Sequence, residues 1–342
     1  MIEAHTVDSW TRLSSRGSAA YADAVMLAGF AAPLFLWLAG LSIPLAGASG
    51  MRRGLSRSAA AEAVCRRGLE IFILAFLFRL QAFVLSPGAH PVTLFRVDIL
   101  NVMGPAIVAG ALLWSLVESA AGLAVGFSLA AAAVAMATPL VRTWRLVGVL
   151  PVWLQWYVRP AADNTTFTSF PWIGFVFAGA AVGVLLAAVR EPRVQARLLA
   201  AVGLAGGVVI AGGFYAASRP SIYAESSFWT TSPAWFAIRL GVLMATLAAA
   251  FAVERLAARG AALDMLARFG RSSLFVYWIH VELVYGYAAW AIRRRLPLWG
   301  TALAYVLFTL AMFGAVVLRD RVVSWWSRRQ TQIGFQYKAE AV

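Results

Sequence analysis

Two of the three histidines sit where an imidazole could move a proton or attack a carbonyl. Neutral imidazole holds a proton on one nitrogen and offers a lone pair on the other, near physiological pH. His280 lies in Gly270-Arg271-Ser272-Ser273-Leu274-Phe275-Val276-Tyr277-Trp278-Ile279-His280-Val281-Glu282. That places it about nine residues into an apolar segment, roughly 13 Å deep at about 1.5 Å per helical residue. Tyr277, three residues earlier, shares its face, whereas Glu282, two residues on, points elsewhere. The plain alternative is a buried histidine bonded to a neighbouring helix for packing. His5 lies in Glu3-Ala4-His5-Thr6-Val7-Asp8-Ser9-Trp10. Taken alone, it reads as an exposed residue near a chain end. If a helix runs through it, Asp8 at i+3 could orient its ring and leave the second nitrogen free as base or nucleophile.

A second constellation joins two segments. Arg79 and Gln81 stand in Phe76-Leu77-Phe78-Arg79-Leu80-Gln81, and Asp98 and Asn101 in Val97-Asp98-Ile99-Leu100-Asn101. A guanidinium stays charged and needs an anion or an aqueous cavity when surrounded by apolar residues. An Arg79–Asp98 pair meets that need, either as part of a polar site or as a structural ion pair. Asp23 and Arg239 lie near segment ends, where snorkelling explains them. The single cysteine, Cys65, allows no intramolecular disulfide and no cysteine-cluster metal site. No metal ligand set is read. There is no Walker motif and no His-Glu-x-x-His, and Gly203, Gly206 and Gly207 lack the preceding strand of a dinucleotide fingerprint.

The elements that must hold these residues are membrane helices. Of 342 residues, 61% are hydrophobic and 13% charged, with mean hydropathy +0.76. Soluble domains run at about 45–50% apolar and about 25% charged. The apolar residues come in blocks of about 20, the length that crosses a bilayer core. Spans are expected at 22–48, 64–86, 97–117, 119–138, 171–190, 197–217, 233–254, 272–292 and 298–318. The reading is therefore an all-α polytopic bundle of about nine spans. It takes 1–342 as a single transmembrane domain, with 319–342 as a basic tail.

The net charge of +14 would suggest a nucleic-acid partner in a soluble protein. Here the arginines occupy short loops, and no zinc-finger or RNA-recognition pattern accompanies them, so no nucleic-acid partner is expected. One set of alternate loops holds Arg52, Arg53, Arg57, Arg66, Arg67, Arg190, Arg193, Arg197, Arg255, Arg259, Arg268 and Arg271. The tail adds Arg319, Arg321, Arg328, Arg329 and Lys338 to the same side. The other side holds Arg12, Arg16, Arg96, Arg142, Arg145, Arg159, Arg219 and Arg293 to Arg295. By the positive-inside rule the first set and the C-terminus face the cytoplasm, and loops 139–170 and 218–232 face outward. Residues 1–21 lack the apolar core and cleavage site of a signal peptide. A chain that starts outside is therefore expected to have a further span upstream, with Met1 an internal methionine.

Several segments in order carry a resemblance. They are Glu3-Ala4-His5 to Asp8, then Ala31-Ala32-Pro33-Leu34-Phe35-Leu36-Trp37-Leu38-Ala39-Gly40, then Arg66-Arg67-Gly68-Leu69. Asp98-Ile99-Leu100-Asn101-Val102-Met103-Gly104 follows, and then Gly270 to His280. Together they resemble bacterial relatives of heparan-α-glucosaminide N-acetyltransferase. These belong to the wider group of membrane acyltransferases that includes the acyltransferase-three family. Relatives open with a basic-Asp-Leu-x-Arg-Gly segment that is absent here. His5 falls on the family histidine near the end of the first helix, and His280 on that of the late Leu-Phe-x-Tyr-x-x-His motif. Asn101 stands where relatives often carry Gln.

The resemblance implies acyl transfer across the bacterial inner membrane. Acetyl-CoA or another acyl-CoA would be the cytoplasmic donor, with an amine or hydroxyl of a sugar-containing acceptor on the outer side. Arg66, Arg67 and Arg271 are the candidates for the CoA phosphates by charge and side. His5 would deprotonate the acceptor or carry the acyl group, oriented by Asp8. His280 and Asn101 would orient the thioester or stabilise its oxyanion. Arg79, Asp98, Asn101 and Tyr277 complete the candidate substrate contacts. Membrane lipid is an expected partner, and a homodimer is an assembly the reading leaves open. The competing reading is a transporter or flippase for an envelope precursor, although no repeat between halves supports it. A subunit with no site would have no need of a buried histidine or arginine. A chain inactive without its first helix is a further alternative.

Overall fold

The structure is a computed structural model, and it describes residues 1–86, 90–256 and 260–339, with side chains through Arg329 apart from residue 327. Among these the chain is helical, with two isolated β-bridges, Thr11–Leu296 and Val97–Thr165. The helices are α1 (Ile2–Trp10), α2 (Ala19–Ala28), α3 (Ala31–Arg52), α4 (Arg57–Leu85) and α5 (Ile99–Leu116). They continue as α6 (Ala120–Thr143), α7 (Val152–Val158), α8 (Ser169–Ala188), α9 (Pro192–Ala217) and α10 (Pro233–Leu256). The last are α11 (Ala261–Arg271), α12 (Ser273–Tyr285) and α13 (Leu298–Ala339).

Among the described residues, eight helices are long and apolar enough to cross a membrane, the first being the stretch Ala19–Arg52. The protein is an integral, multi-pass helical membrane protein. At the place of the eighth expected span, 272–292, stands α12, an apolar helix of 13 residues. It stops at Gly286, whose amide bonds back to the Glu282 carbonyl at 2.8 Å. The segment read as a separate basic tail continues the backbone of α13 to Ala339. Arg259 and the side chain of Lys338, both counted in the charge asymmetry, lie outside the described residues.

The chain divides into two compact units. The larger, Gly29–Val84 with Gly88–Leu256, contains α3 to α10. In lipid, helices gain little from burying apolar surface against one another, so close packing over small residues has to hold them. Gly40 and Gly179 do this between α3 and α8: a Cβ on Gly40 would fall inside van der Waals contact with the Val176 carbonyl. A Cβ on Gly179 would fall as far inside contact with the Trp37 carbonyl. α9 and α10 meet in the same way, with a Cβ on Gly206 only 2.7 Å from the Gly241 carbonyl oxygen. Around Phe127, Trp114, Leu123 and Val184 a buried apolar cluster joins α4, α5, α6 and α8. Arg57 lies over the Trp114 ring at 4.3 Å and donates to the carbonyls of Trp114 and Val117 at the end of α5. That satisfies orphan groups at a helix C-terminus and complements its dipole.

The smaller unit, Met1–Ala28 with Leu85–Pro87 and Ala257–Val342, holds α1, α2, α11, α12 and α13. Its N-terminal segment is fixed by backbone bonds rather than by helix propensity. Leu296 N–H donates to Trp10 O at 3.0 Å, Arg12 N–H to Leu296 O at 2.8 Å, and Arg294 N–H to Ser9 O at 2.9 Å. Ser9 Oγ and Trp10 Nε1 both donate to the Val284 carbonyl, at 3.0 and 3.2 Å. The Trp10 ring is buried with Val284 and Ala289 and packs edge-on against Phe308 at 5.4 Å. These contacts clamp α1 against α12.

Candidate functional site

The clamp brings together two residues that are 275 positions apart. The rings of His5 on α1 and His280 on α12 stand 5.2 Å apart, tilted by 51°. His280 is fully buried and His5 half-buried.

The hydrogen bonds fix which nitrogen of each ring faces which way. His280 Nδ1 lies 2.6 Å from the Val276 carbonyl oxygen. A carbonyl only accepts, so Nδ1 carries a proton. In the neutral ring Nε2 is then a bare lone pair, and among the described residues it is buried with no hydrogen-bond partner. His5 Nδ1 lies 3.2 Å from the Tyr285 hydroxyl oxygen, and that hydroxyl donates to Asp8 Oδ2 at 2.8 Å. With the tyrosine proton committed to the carboxylate, the oxygen accepts from His5 Nδ1–H. His5 Nε2 is therefore also an acceptor. The rings of His280 and Tyr285 both lie within contact of His5.

Asp8 thus reaches His5 through Tyr285, and not directly at i+3 as the helical spacing suggested. The sequence had not singled out Tyr285. His5 stands on α1, the nine-residue helix Ile2–Trp10, outside the eight candidate spans. Burial first, and the facing His280 second, push its pKa down to about 3. The resting ring is neutral, as a base or nucleophile must be.

Tyr277 is buried beside His280, its ring 6.0 Å away in an edge-on arrangement. Glu282 is buried on the other side of α12, with Ser86 Oγ donating to its Oε2 at 3.4 Å.

In the larger unit Arg79 and Asp98 form a largely buried ion pair. Asp98 Oδ1 also accepts from the Ile99 amide at 2.7 Å, and its own amide donates to Asn101 Oδ1 at 3.0 Å, a capping box that starts α5. Asn101 Nδ2 donates to the Tyr157 hydroxyl at 3.4 Å. Burial raises the Tyr157 pKa, and the bond from Asn101 opposes that shift. This network organises a helix start and neutralises a guanidinium.

The three arginines expected at CoA phosphates are all exposed. Arg66 pairs with Glu62 at 3.2 Å and Arg67 with Glu70 at 2.9 Å, each on its own helix. Exposed pairs of this kind hold their partners weakly and leave the guanidinium available to a phosphate. Arg271 closes α11, next to the Ser272 that precedes α12.

Residues 1–216 match the family model described as heparan-α-glucosaminide N-acetyltransferase, catalytic. The match takes in His5, Asp8, Arg79, Asp98 and Asn101. It ends before α12, so His280 and Tyr285 enter the site on geometry. No curated protein matches the chain.

Proposed function

The chain belongs to the heparan-α-glucosaminide N-acetyltransferase catalytic family, and from that premise we propose that it transfers acetyl from acetyl-CoA to a primary amine on a sugar, at the His5–His280 pair. The family's reaction uses acetyl-CoA as donor. The amine is favoured over a hydroxyl by the two imidazoles. A primary amine has two N–H donors and one lone pair, and the site offers two Nε2 acceptors. Both hydrogens can be held while the nitrogen lone pair points away, toward a thioester carbonyl. A hydroxyl has one hydrogen and would leave one buried acceptor unmet, at a cost of about 1–3 kcal/mol.

In the reaction the amine nitrogen attacks the thioester carbon and the carbonyl becomes an oxyanion. One N–H proton passes to an imidazole Nε2. The C–S bond then breaks, the amide forms, and the thiolate takes the proton. Burial holds the resting histidine neutral, so the imidazolium is stabilised only when the negative charge of the intermediate forms beside it. That is the differential binding by which a site accelerates a step. On this reading Tyr285 and Asp8 act as positioning residues, keeping Nδ1 protonated and Nε2 bare.

Acetyl-CoA approaches from the cytoplasm, where Arg66, Arg67 and Arg271 are the candidates for its phosphates, and the acceptor amine from the opposite side. The excess of arginine on the loops next to α3, α4, α8 and α9 supports that sidedness. The same asymmetry supports a cytoplasmic C-terminus, and the resemblance to bacterial relatives supports the bacterial inner membrane.

The test uses the protein in lipid nanodiscs with radiolabelled acetyl-CoA. The acceptor is either an α-glucosaminide or the glucoside with hydroxyl in place of the amine. Label should enter only the amine. His5→Ala and His280→Ala should each lower the rate by about 10²-fold or more, the scale of a positioned general base. Equal acetylation of both acceptors would overturn the amine assignment. Full activity in both variants would remove the pair from the mechanism.

A further inference from the structure

The segment between α6 and α8 is turned inside out relative to a loop in water. From Thr143 to Val158 its one charged side chain is Arg145. Its large side chains point outward: Trp144, Leu146, Val149, Leu150, Val152 and Trp153 are all exposed, Val149 to 80%.

Apart from Arg145, which is exposed, its polar groups are turned to the segment's own backbone. Gln155 Nε2 donates to the carbonyls of Gly148, at 3.3 Å, and Leu150, at 2.7 Å. The Arg159 guanidinium donates to the Trp144 carbonyl. Backbone bonds from Leu150 to Val147 O at 3.2 Å, and from Leu154 and Gln155 to Pro151 O at 2.9 and 3.1 Å, occupy most of the rest. Water would satisfy such carbonyls without help. Spending the amide of the segment's one glutamine and a guanidinium on them is what a hydrocarbon-facing segment requires, because there each unmet backbone group is costly.

The loop between α9 and α10 leaves the helices of the same unit at the same end, since α6 and α9 are separated by two crossings. It is richer in polar side chains, although Ile222 and Trp229 are exposed there too. Ser218, Arg219, Ser221, Glu225, Ser226 and Thr231 are exposed or part-exposed, and the hydroxyls bond to one another and to nearby turns. One end of the bundle therefore carries one loop of mixed, largely polar surface and one of almost wholly apolar surface.

We propose that residues 144–154 lie in the lipid leaflet at that end, as an interfacial wedge with Trp144 and Trp153 at headgroup level, rather than in the aqueous phase. Trp and Arg are the side chains that settle at this boundary. Behind the wedge, Trp156 is buried with Val97 and Val102, and Tyr157 accepts from Asn101. The lipid-facing surface is thereby bonded to the capped start of α5.

The experiment places a nitroxide at single cysteines in full-length protein with Cys65→Ser, reconstituted in nanodiscs. Labels at Leu146→Cys, Val149→Cys and Val152→Cys are compared with Glu225→Cys in the polar loop. Collision with oxygen reports lipid, and collision with a water-soluble nickel chelate reports water. The oxygen-to-nickel ratio should be several-fold higher at the three wedge positions than at 225. A ratio at 146, 149 and 152 equal to that at 225 would overturn the proposal. So would protection of the three from both reagents, which would mean that protein covers this face.

Discussion

Tyr285 is the residue whose removal separates positioning from proton transfer. Its hydroxyl oxygen joins His5 Nδ1 to Asp8, and phenylalanine keeps the ring while deleting that oxygen. Nothing then prefers the tautomer with Nε2 bare, so the rate should fall by about 10- to 10²-fold, less than loss of the base itself. The pH profile should hardly move. Burial and His280 hold the His5 pKa down to about 3, and Tyr285 contributes to neither. The active neutral form persists as pH falls, so the acid limb of kcat/KM should lie well below the ordinary histidine value of about 6.5 in wild type and in Tyr285→Phe alike. A limb near 6.5 in wild type would contradict the burial of His5. The same depression means that stability drains away as pH drops from about 6.5 toward the folded-state value, because the unfolded chain takes up the proton first. His280 is visible in the sequence because an ionisable group in an apolar setting asks for a reason, whereas His5 and Asp8 stand out through their i+3 spacing and the family resemblance of that segment. Tyr285 is not. It lies five residues beyond His280, off the i+3/i+4 register, and its partners are 280 and 277 residues away.

Helix pairing in the larger unit rests on contacts where backbone meets backbone. The small-residue runs Gly174 to Gly183 and Gly203 to Gly213 announce close packing in the sequence, but not which helix answers. The structure assigns Gly179 to α3 and Gly206 to α10. Gly179→Ala would push a methyl into the Trp37 carbonyl, with the Trp37 carbonyl carbon only 2.8 Å and the Leu41 nitrogen 3.0 Å from the new atom. Backbone cannot step aside as a side chain can, so the cost should reach about 1–3 kcal/mol, the range for overpacking. Gly207→Ala, one residue along α9 from Gly206, meets nothing within 4 Å and should hold or slightly raise the melting midpoint in detergent. Equal midpoints for the two variants would show that α3 and α8 are not packed this closely. The length of α12 was the element least legible beforehand. Hydropathy runs past Gly286 into Tyr287 and Ala289, so an apolar window reads a longer span. The backbone ends the helix at Tyr285, where Gly286 turns extended and a short 3-10 turn follows.

Whether α12 nevertheless carries the chain across decides the topology of the whole molecule. Thirteen residues reach roughly 20 Å at about 1.5 Å each, short of the roughly 30 Å hydrocarbon core. Within the smaller unit, Arg268 on α11 bonds Asp320 on α13 at 2.7 Å, Arg319 bonds the same carboxylate at 2.6 Å, and Phe269 stacks on Phe313. α11 therefore lies beside the far part of α13, while α13 begins at Leu298, 22 residues and roughly 33 Å earlier at that rise. The chain leaves α11 at one end of α13 and re-enters α13 at the other. α12 and the turns after it are all that lies between, so they must cross, with the 3-10 turn and Arg293 to Arg295 making up the shortfall. On the sidedness proposed from the basic residues, α11 and the end of α13 would face the cytoplasm. Reporter fusions after residues 57, 262 and 342 should read cytoplasmic, and those after 225 and 293 external. If 262 and 293 report the same side, α12 does not cross, and the C-terminus must lie opposite to α11 despite the shared carboxylate. That outcome would break the packing of α11 on α13, and with it the placement of α12 that brings His280 to His5.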